Sequence, residues 1–112
     1  RGAVGMSAQA SPHKESYYQA RIIRWLRDTY PAAFVWKAAA GPYSQGGIPD
    51  ICMVLDGQFY GFEVKRPEVG RLSKIQEQTI KKINAAGGTA AVVSFPAQVQ
   101  EVIDTWQANR NK

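Results

Sequence analysis

Residues 50–65 read DICMVLDGQFYGFEVK, in which two apolar, β-prone segments flank the dipeptide Asp56-Gly57. An Asp-Gly pair in this setting is a strong signal for a hairpin with a two-residue loop, and such a loop fixes which residues face each other. With 56 and 57 in the loop, paired residue numbers sum to 113, so Asp50 lies across from Glu63. Side chains alternate between the two faces of a strand, which places Lys65 on the same face.

The opposed acids Asp50 and Glu63 predict a cation site. Directly opposed positions hold Cβ atoms about 4.5–5.5 Å apart, and like charges there destabilise a sheet unless something lies between them. Carboxylate oxygens are ligands that suit Mg²⁺ or Mn²⁺, and Lys65 adds a positive charge beside them. The alternative is a cross-strand ion network at the end of a sheet, without chemistry.

Composition limits the possibilities further. The chain has 112 residues, 14 Lys and Arg against 9 Asp and Glu, and a net charge of +5. This length fits one domain, and the positive excess suits a polyanionic partner. Cys52 is the single cysteine, so an internal disulfide and a cysteine-cluster zinc site are excluded, and a reducing, cytoplasmic setting is expected. No apolar run has the length of a membrane span, so no membrane association is expected.

The domain is expected to span 13–106. Residues 1–12 are expected to form a flexible N-terminus, with the residues before Met6 left over from cloning, and 107–112 to form a frayed tail. They contribute nothing to the fold prediction.

The remaining elements are predicted from periodicity and from Gly and Pro signals. We expect a helix over 13–30, a strand over 34–38, the hairpin, a helix over 73–86, a strand over 89–95 and a helix from Pro96. The helical crossover makes the last strand parallel to a strand of the sheet. Because neither face of the hairpin is polar, a sheet covered on both faces is predicted. The fold class is therefore α/β, a mixed four-stranded sheet flanked by helices in the order α-β-β-β-α-β-α.

Glu15 and Gln76 each have two interpretations. Glu15 lies on the apolar side of the first helix, where it either complements the helix dipole or adds a third acid near the hairpin. Gln76 follows Ser73 by three residues, which is the spacing of a capping box. It also lies on the buried stripe of its helix, from which its amide could orient a carboxylate, a water or a phosphate.

Four segments together resemble one family. GIPD at 47–50, FEVKRP at 62–67, GRLSKIQ at 70–76 and the upstream Glu15 are similar to the VRR-NUC branch of the PD-(D/E)xK nucleases, over about residues 13–104. The resemblance implies a restriction-endonuclease-like core that hydrolyses phosphodiester bonds with Mg²⁺ or Mn²⁺.

Carried over position by position, the family pattern makes Glu15 the helix acid, Asp50 and Glu63 the metal carboxylates, Lys65 the catalytic lysine and Gln76 the glutamine of the following helix. The backbone carbonyl of Val64 is expected to complete the protein's share of metal ligands. Because adjacent carboxylates oppose a lowered lysine pKa, Lys65 is expected to act electrostatically.

Four basic residues are expected to contact DNA phosphates without reading sequence: Lys37, Arg66, Arg71 and Lys74. For Lys37 a solvated strand lysine is the equal alternative. The arginines of the first helix are expected to be solvated.

The expected substrate is branched DNA. Stand-alone members of the family from bacteria and bacterial viruses resemble homodimeric enzymes that cut four-way junctions, so the resemblance implies a homodimeric junction resolvase in a bacterial or phage-infected cell. The small size of the chain also favours a homodimer, because one copy has little surface for gripping branched DNA. The alternatives are a nuclease for flaps or nicked duplex and a non-catalytic DNA-binding module with the same fold.

Overall fold

The computed structural model describes residues 13–39 and 46–110. Each predicted element is present, with bounds within two residues of those expected. The elements are α1 (Glu15–Thr29), β1 (Phe34–Lys37), β2 (Ile51–Leu55), β3 (Gln58–Val64), α2 (Lys74–Ala85), β4 (Thr89–Val93) and α3 (Pro96–Arg110). In the described ranges no helix is both long and apolar enough to cross a membrane.

The four strands form one sheet in the order β1-β2-β3-β4. Strands β1 and β2 and strands β2 and β3 are antiparallel, whereas β3 and β4 are parallel, as the helical crossover predicted. The hairpin has the predicted register, with Leu55 paired to Gln58 and Ile51 to Phe62. Both loop residues have positive φ, 51° at Asp56 and 78° at Gly57, which a two-residue hairpin turn of the primed type requires.

One face of the sheet, the core face, packs against α1 and α3. Alternate residues of β2 and β3 point to this face, and the helices cover them with apolar stripes at helical spacing. The fully buried members of this core are Ile22, Leu26, Ile51, Met53, Tyr60, Phe62, Val64, Val93, Val99 and Ile103. Burial of this apolar set is the main force that fixes the sheet against its helices.

The opposite face, the site face, carries Cys52, Phe59, Gly61 and Glu63. It is covered in part by α2, and the prediction of a sheet covered on both faces is wrong where β1 and β2 pair. There Val54 is 39% and Phe34 68% exposed. Apolar residues on both faces of a strand indicate that both faces can be buried. They do not indicate how much of the sheet a single helix covers.

The ends of the chain differ from expectation at one point. Helix α3 continues to Arg110, so the tail predicted over 107–112 is helical as far as that residue. Residues 111 and 112, and the predicted flexible segment 1–12, lie outside the described part of the chain.

Gly61 allows Pro49 to pack on the site face next to Asp50. A Cβ at position 61 would lie 2.8 Å from Cγ of the buried Pro49, too close for two carbon atoms. We expect Gly61→Ala to lower the free energy of unfolding by about 1–3 kcal/mol, measured by urea denaturation. Gly46→Ala is the matched control, because its Cβ would meet the flexible end of Ile75 at 3.3 Å; an equal loss in both variants would contradict this account.

Candidate active site

Asp50 immediately precedes β2, at the end of the sheet where β2 begins and where β3 and β4 terminate. We call this the site end. The backbone of Asp50 is held there because its carbonyl accepts a hydrogen bond of 2.8 Å from the N–H of Ala38. Its side chain turns toward β3, where Oδ2 accepts a 2.8 Å hydrogen bond from the backbone N–H of Val64. The hairpin register and these two bonds place the Asp50 carboxyl beside Glu63.

Glu63 is the buried acid of the site. It is 1% exposed, and its Oε2 accepts a 2.8 Å hydrogen bond from Nε2 of Gln76 and lies 3.6 Å from Nζ of Lys65. The other oxygen, Oε1, is buried and has no hydrogen-bond partner. A buried carboxylate oxygen without a donor is costly, so this atom requires a proton or a cation.

The same environment changes the acidity of Glu63. Burial is the main cause that raises the pKa of Glu63 to about 7, followed by the charge of Asp50 and by the hydrogen bond that a protonated Glu63 can donate to the Asp50 carboxyl. Lys65 opposes this shift, and Glu15 adds a small further increase. Two carboxylates held together near neutral pH repel each other unless positive charge lies between them. The site is therefore arranged to favour a bound cation.

Lys65 lies where β3 leaves the sheet. Its N–H donates to the carbonyl of Val93 at 3.0 Å, and its carbonyl accepts a 2.6 Å hydrogen bond from the hydroxyl of Ser94. The following turn packs closely on it, because a Cβ at Gly70 would lie 2.6 Å from Cβ of Lys65. The ammonium group is thus directed at Glu63, as the alternation along β3 predicted.

Gln76 performs both of the roles that its sequence position allowed. Its Oε1 accepts a 2.9 Å hydrogen bond from the backbone N–H of Ser73. In return, Oγ of Ser73 accepts a 3.2 Å hydrogen bond from the backbone N–H of Gln76, and the two bonds form the capping box of α2. Its Nε2 donates to Glu63. A glutamine amide can do both because its acceptor and its donors are separate atoms.

Removing this amide is expected to weaken metal binding. We predict that Gln76→Ala lowers the affinity for Mg²⁺ or Mn²⁺ by about 10–100-fold, as is usual for groups that orient a metal ligand, measured by titration calorimetry. Ser73→Ala is the control, because it removes the cap oxygen, worth about 1 kcal/mol of stability, and leaves the Gln76–Glu63 bond in place. Equal metal affinity in the two variants would show that Gln76 acts on the helix alone.

Glu15 is the first residue of α1 and lies near the pair. Its Oε2 accepts a 3.5 Å hydrogen bond from Nε2 of Gln19, a glutamine that is 8% exposed. Its charge contributes to the raised pKa of Glu63, so it lies within electrostatic reach of the pair. Gln19 and Ser94 are two positioning residues that the sequence analysis did not identify. The spacing of four residues between Glu15 and Gln19 was a usable signal, whereas nothing in the sequence around Ser94 pointed to Lys65.

The four residues predicted to contact phosphates differ in their position relative to the acids of the site. Lys37 pairs with Ile51 at the site end, and strand alternation places it on the core face, away from Glu63. Arg71 is exposed, and its Nη1 donates to the carbonyls of Glu68 and Gly70 at 3.2 and 3.1 Å.

The other two follow the site along the chain. Arg66 is half-buried directly after Lys65, and Lys74 is exposed at the start of α2. Their contact with DNA stays a prediction, as does the role of the Val64 carbonyl.

The residues present fit a hard divalent cation. Among the described residues no group of three or more His, Cys, Asp or Glu side chains is arranged to hold a metal, so the protein offers the pair of Asp50 and Glu63. One or two carboxylates, with water and substrate oxygens completing the shell, is the usual protein share for Mg²⁺. The orphaned Oε1 of Glu63 is the observation that supports this fit.

The chain thus forms a mixed sheet flanked by helices, with two acids and a lysine at one end. The search of solved structures matches a VRR_NUC domain with a TM-score of 0.61 and 22% sequence identity, covering 78% of this chain and 95% of that one. The comparison confirms the fold that the sequence predicted. The scan against protein-family models and the search of curated proteins found no match.

Proposed function

We propose that the chain is a metal-dependent DNA endonuclease that hydrolyses phosphodiester bonds in branched DNA and prefers four-way junctions. The observation that carries this proposal is the pair of Asp50 and the buried Glu63, with an orphaned oxygen on Glu63 and Lys65 3.6 Å from that residue. The fold shared with a VRR_NUC domain supports it.

The roles of the residues follow from their contacts. Asp50 and Glu63 would hold Mg²⁺ or Mn²⁺, and the ion would supply activation of water and stabilisation of charge on the phosphoryl oxygens. Gln76 keeps the Glu63 carboxylate in one orientation through its 2.8 Å hydrogen bond. Lys65 supplies a fixed positive charge beside that carboxylate, where it can offset the charge of a phosphate.

A substrate panel tests the proposal. Four-way junction, flap, nicked duplex, intact duplex and single-stranded DNA are each incubated with Mg²⁺, with Mn²⁺ and with chelator. We expect the junction to be cut fastest, and no cutting with chelator. Preferential cutting of a flap or nick would replace the junction as substrate and keep the enzyme class. Binding to DNA without cutting under any condition would favour the non-catalytic module and overturn the proposal.

We also propose that the active form is a homodimer. One copy has 112 residues and would offer one cation site, at Asp50 and Glu63, whereas resolving a junction requires cuts in two strands. Light scattering over a dilution series is expected to show a species of twice the 12.4 kDa chain mass, with junction cutting lost as it dissociates. A monomer at every concentration with full junction cutting would remove this part of the proposal.

A further inference from the structure

The outward side of α1 forms a basic groove with the start of α3, which we call the α1 groove. It has a volume of about 550 Å³ and is lined mainly by Tyr17, Arg21, Arg24, Trp25, Asp28 and Pro96. Four of these residues are spaced four, three and four positions apart along α1, which places them on one side of the helix: Tyr17, Arg21, Arg24 and Asp28. That side faces away from the buried residues of α1.

The guanidinium groups of the groove are available to an anion. Among the described residues, no ion pair joins Arg21 or Arg24 to a carboxylate within 4.0 Å. Arg27, one turn further, differs because its Nη2 donates to the carbonyl of Val35 at 3.1 Å. The groove therefore offers two arginines against the single acid Asp28.

Aromatic contacts hold one of these arginines in place. The guanidinium of Arg21 lies 5.9 Å from the ring centroid of Tyr17, and that ring is stacked on His13 with centroids 3.8 Å apart. Stacking of this kind lowers the entropy that an arginine loses when it binds. Arg21 is thus oriented before any ligand arrives.

The groove opens at the site end of the sheet. Pro96 lines the groove and lies two residues after Ser94. The hydroxyl of Ser94 donates a 2.6 Å hydrogen bond to the carbonyl of Lys65. Tyr18, the neighbour of Tyr17, contacts Phe95 with ring centroids 6.0 Å apart. One end of the groove therefore lies at the same end of the sheet as the carboxylate pair.

We propose that the α1 groove binds the sugar-phosphate backbone of the DNA arm that flanks the cut bond, with Arg21 and Arg24 as the phosphate contacts. The inference rests on the proposed nuclease function and adds a binding surface to it. Arginine matches phosphate geometry through paired N–H donors, and such contacts give affinity without reading sequence. From the sequence these arginines are expected to be solvated, and in the structure two of them line a groove that suits a phosphate ligand.

The salt dependence of DNA binding tests the assignment. Affinity for a four-way junction is measured by fluorescence anisotropy in chelator, at several salt concentrations between about 50 and 200 mM. Each lost phosphate contact reduces the slope of log affinity against log salt by about 0.9. For Arg21→Ala/Arg24→Ala we expect the slope to be less steep than that of wild type by about 1.8, and the affinity to be about 60-fold weaker at about 0.1 M salt.

Two further variants make the result specific. Lys82→Ala/Arg110→Ala removes the same charge at the opposite end of the sheet, where Arg110 lies against the hairpin turn, and should keep the wild-type slope. Arg21→Gln/Arg24→Gln keeps a polar side chain of similar helix propensity and carries the test if the alanine variant unfolds. A wild-type slope in the groove variants, or an equal change in the control, would overturn the inference. Failure of wild-type protein to bind or cut any DNA would instead overturn the proposed function.

Discussion

Glu63→Gln is expected to lower the rate of junction cleavage by at least about 100-fold, the usual loss when a fixed charge is removed from a reaction centre. Glutamine keeps the size of the side chain and can still accept from Gln76, so the 2.8 Å hydrogen bond that positions it is retained. What is lost is the negative charge shared with Asp50, which would hold the cation. Single-turnover cleavage with Mg²⁺ and with Mn²⁺ measures the effect.

DNA affinity separates loss of chemistry from loss of binding in this variant. Removing a carboxylate near phosphate groups cannot weaken their electrostatic attraction to the protein, so affinity in chelator is expected to be equal or tighter. Glu77→Gln is the matched control, because Glu77 is exposed in the first turn of α2, next to Gln76. Wild-type cleavage by Glu63→Gln, or an equal loss in Glu77→Gln, would remove Glu63 from the reaction centre.

The placement of Asp50, Glu63 and Lys65 could be predicted because a two-residue turn leaves little freedom in strand pairing. Once Asp56-Gly57 is the loop, strand pairing follows by counting, and the period of two decides that Asp50, Glu63 and Lys65 share a face. Those relations are local, and the structure reproduces them.

What the sequence could not give depends on contacts between distant elements. The exposure of Phe34 depends on how far α2 extends across the sheet, and the packing of Pro49 on Gly61 depends on a loop that returns to β3. The two roles of Gln76 were each predicted, but their simultaneous presence requires α2 to dock with Ser73 and Glu63 both in reach. Helical periodicity finds the buried side of α1, and leaves the opposite side without an assignment until its neighbour α3 is in place.

Metal ions are expected to change the stability of the protein more than any surface substitution. A ligand that binds only the folded state stabilises it by about 2.7 kcal/mol at one hundred times its Kd, which for a domain of this size raises Tm by on the order of 10 °C. We predict such an increase for wild-type protein with Mg²⁺ or Mn²⁺ at pH 8. The same ions should leave Glu63→Gln nearly unchanged, because its site has lost one of two carboxylates.

The pH dependence of metal-free protein provides the second half of this test. The pKa of Glu63 rises from 4.5 to about 7 on folding, so the folded state holds this proton more tightly than the unfolded state. Its contribution to stability is complete below about pH 4.5 and is lost as pH rises through about 7. At pH 8 in chelator, Glu63→Gln should therefore be more stable than wild type, by on the order of 2–3 kcal/mol.

Glu63→Gln is thus expected to raise the stability of the metal-free protein and to remove the stabilisation by metal ions, and the two effects together would identify Glu63 as a cation ligand. Chelated Glu63→Gln should be the more stable protein above pH 7, and wild type should recover the difference when the ion is added, with a larger gain at pH 8 than at pH 6 because the ligands must lose their proton. Urea denaturation at both pH values, with and without Mn²⁺, measures all four states. A Glu63→Gln protein that is less stable than wild type in chelator at pH 8 would mean that Glu63 is a structural ion-pair partner of Lys65 and not a cation ligand.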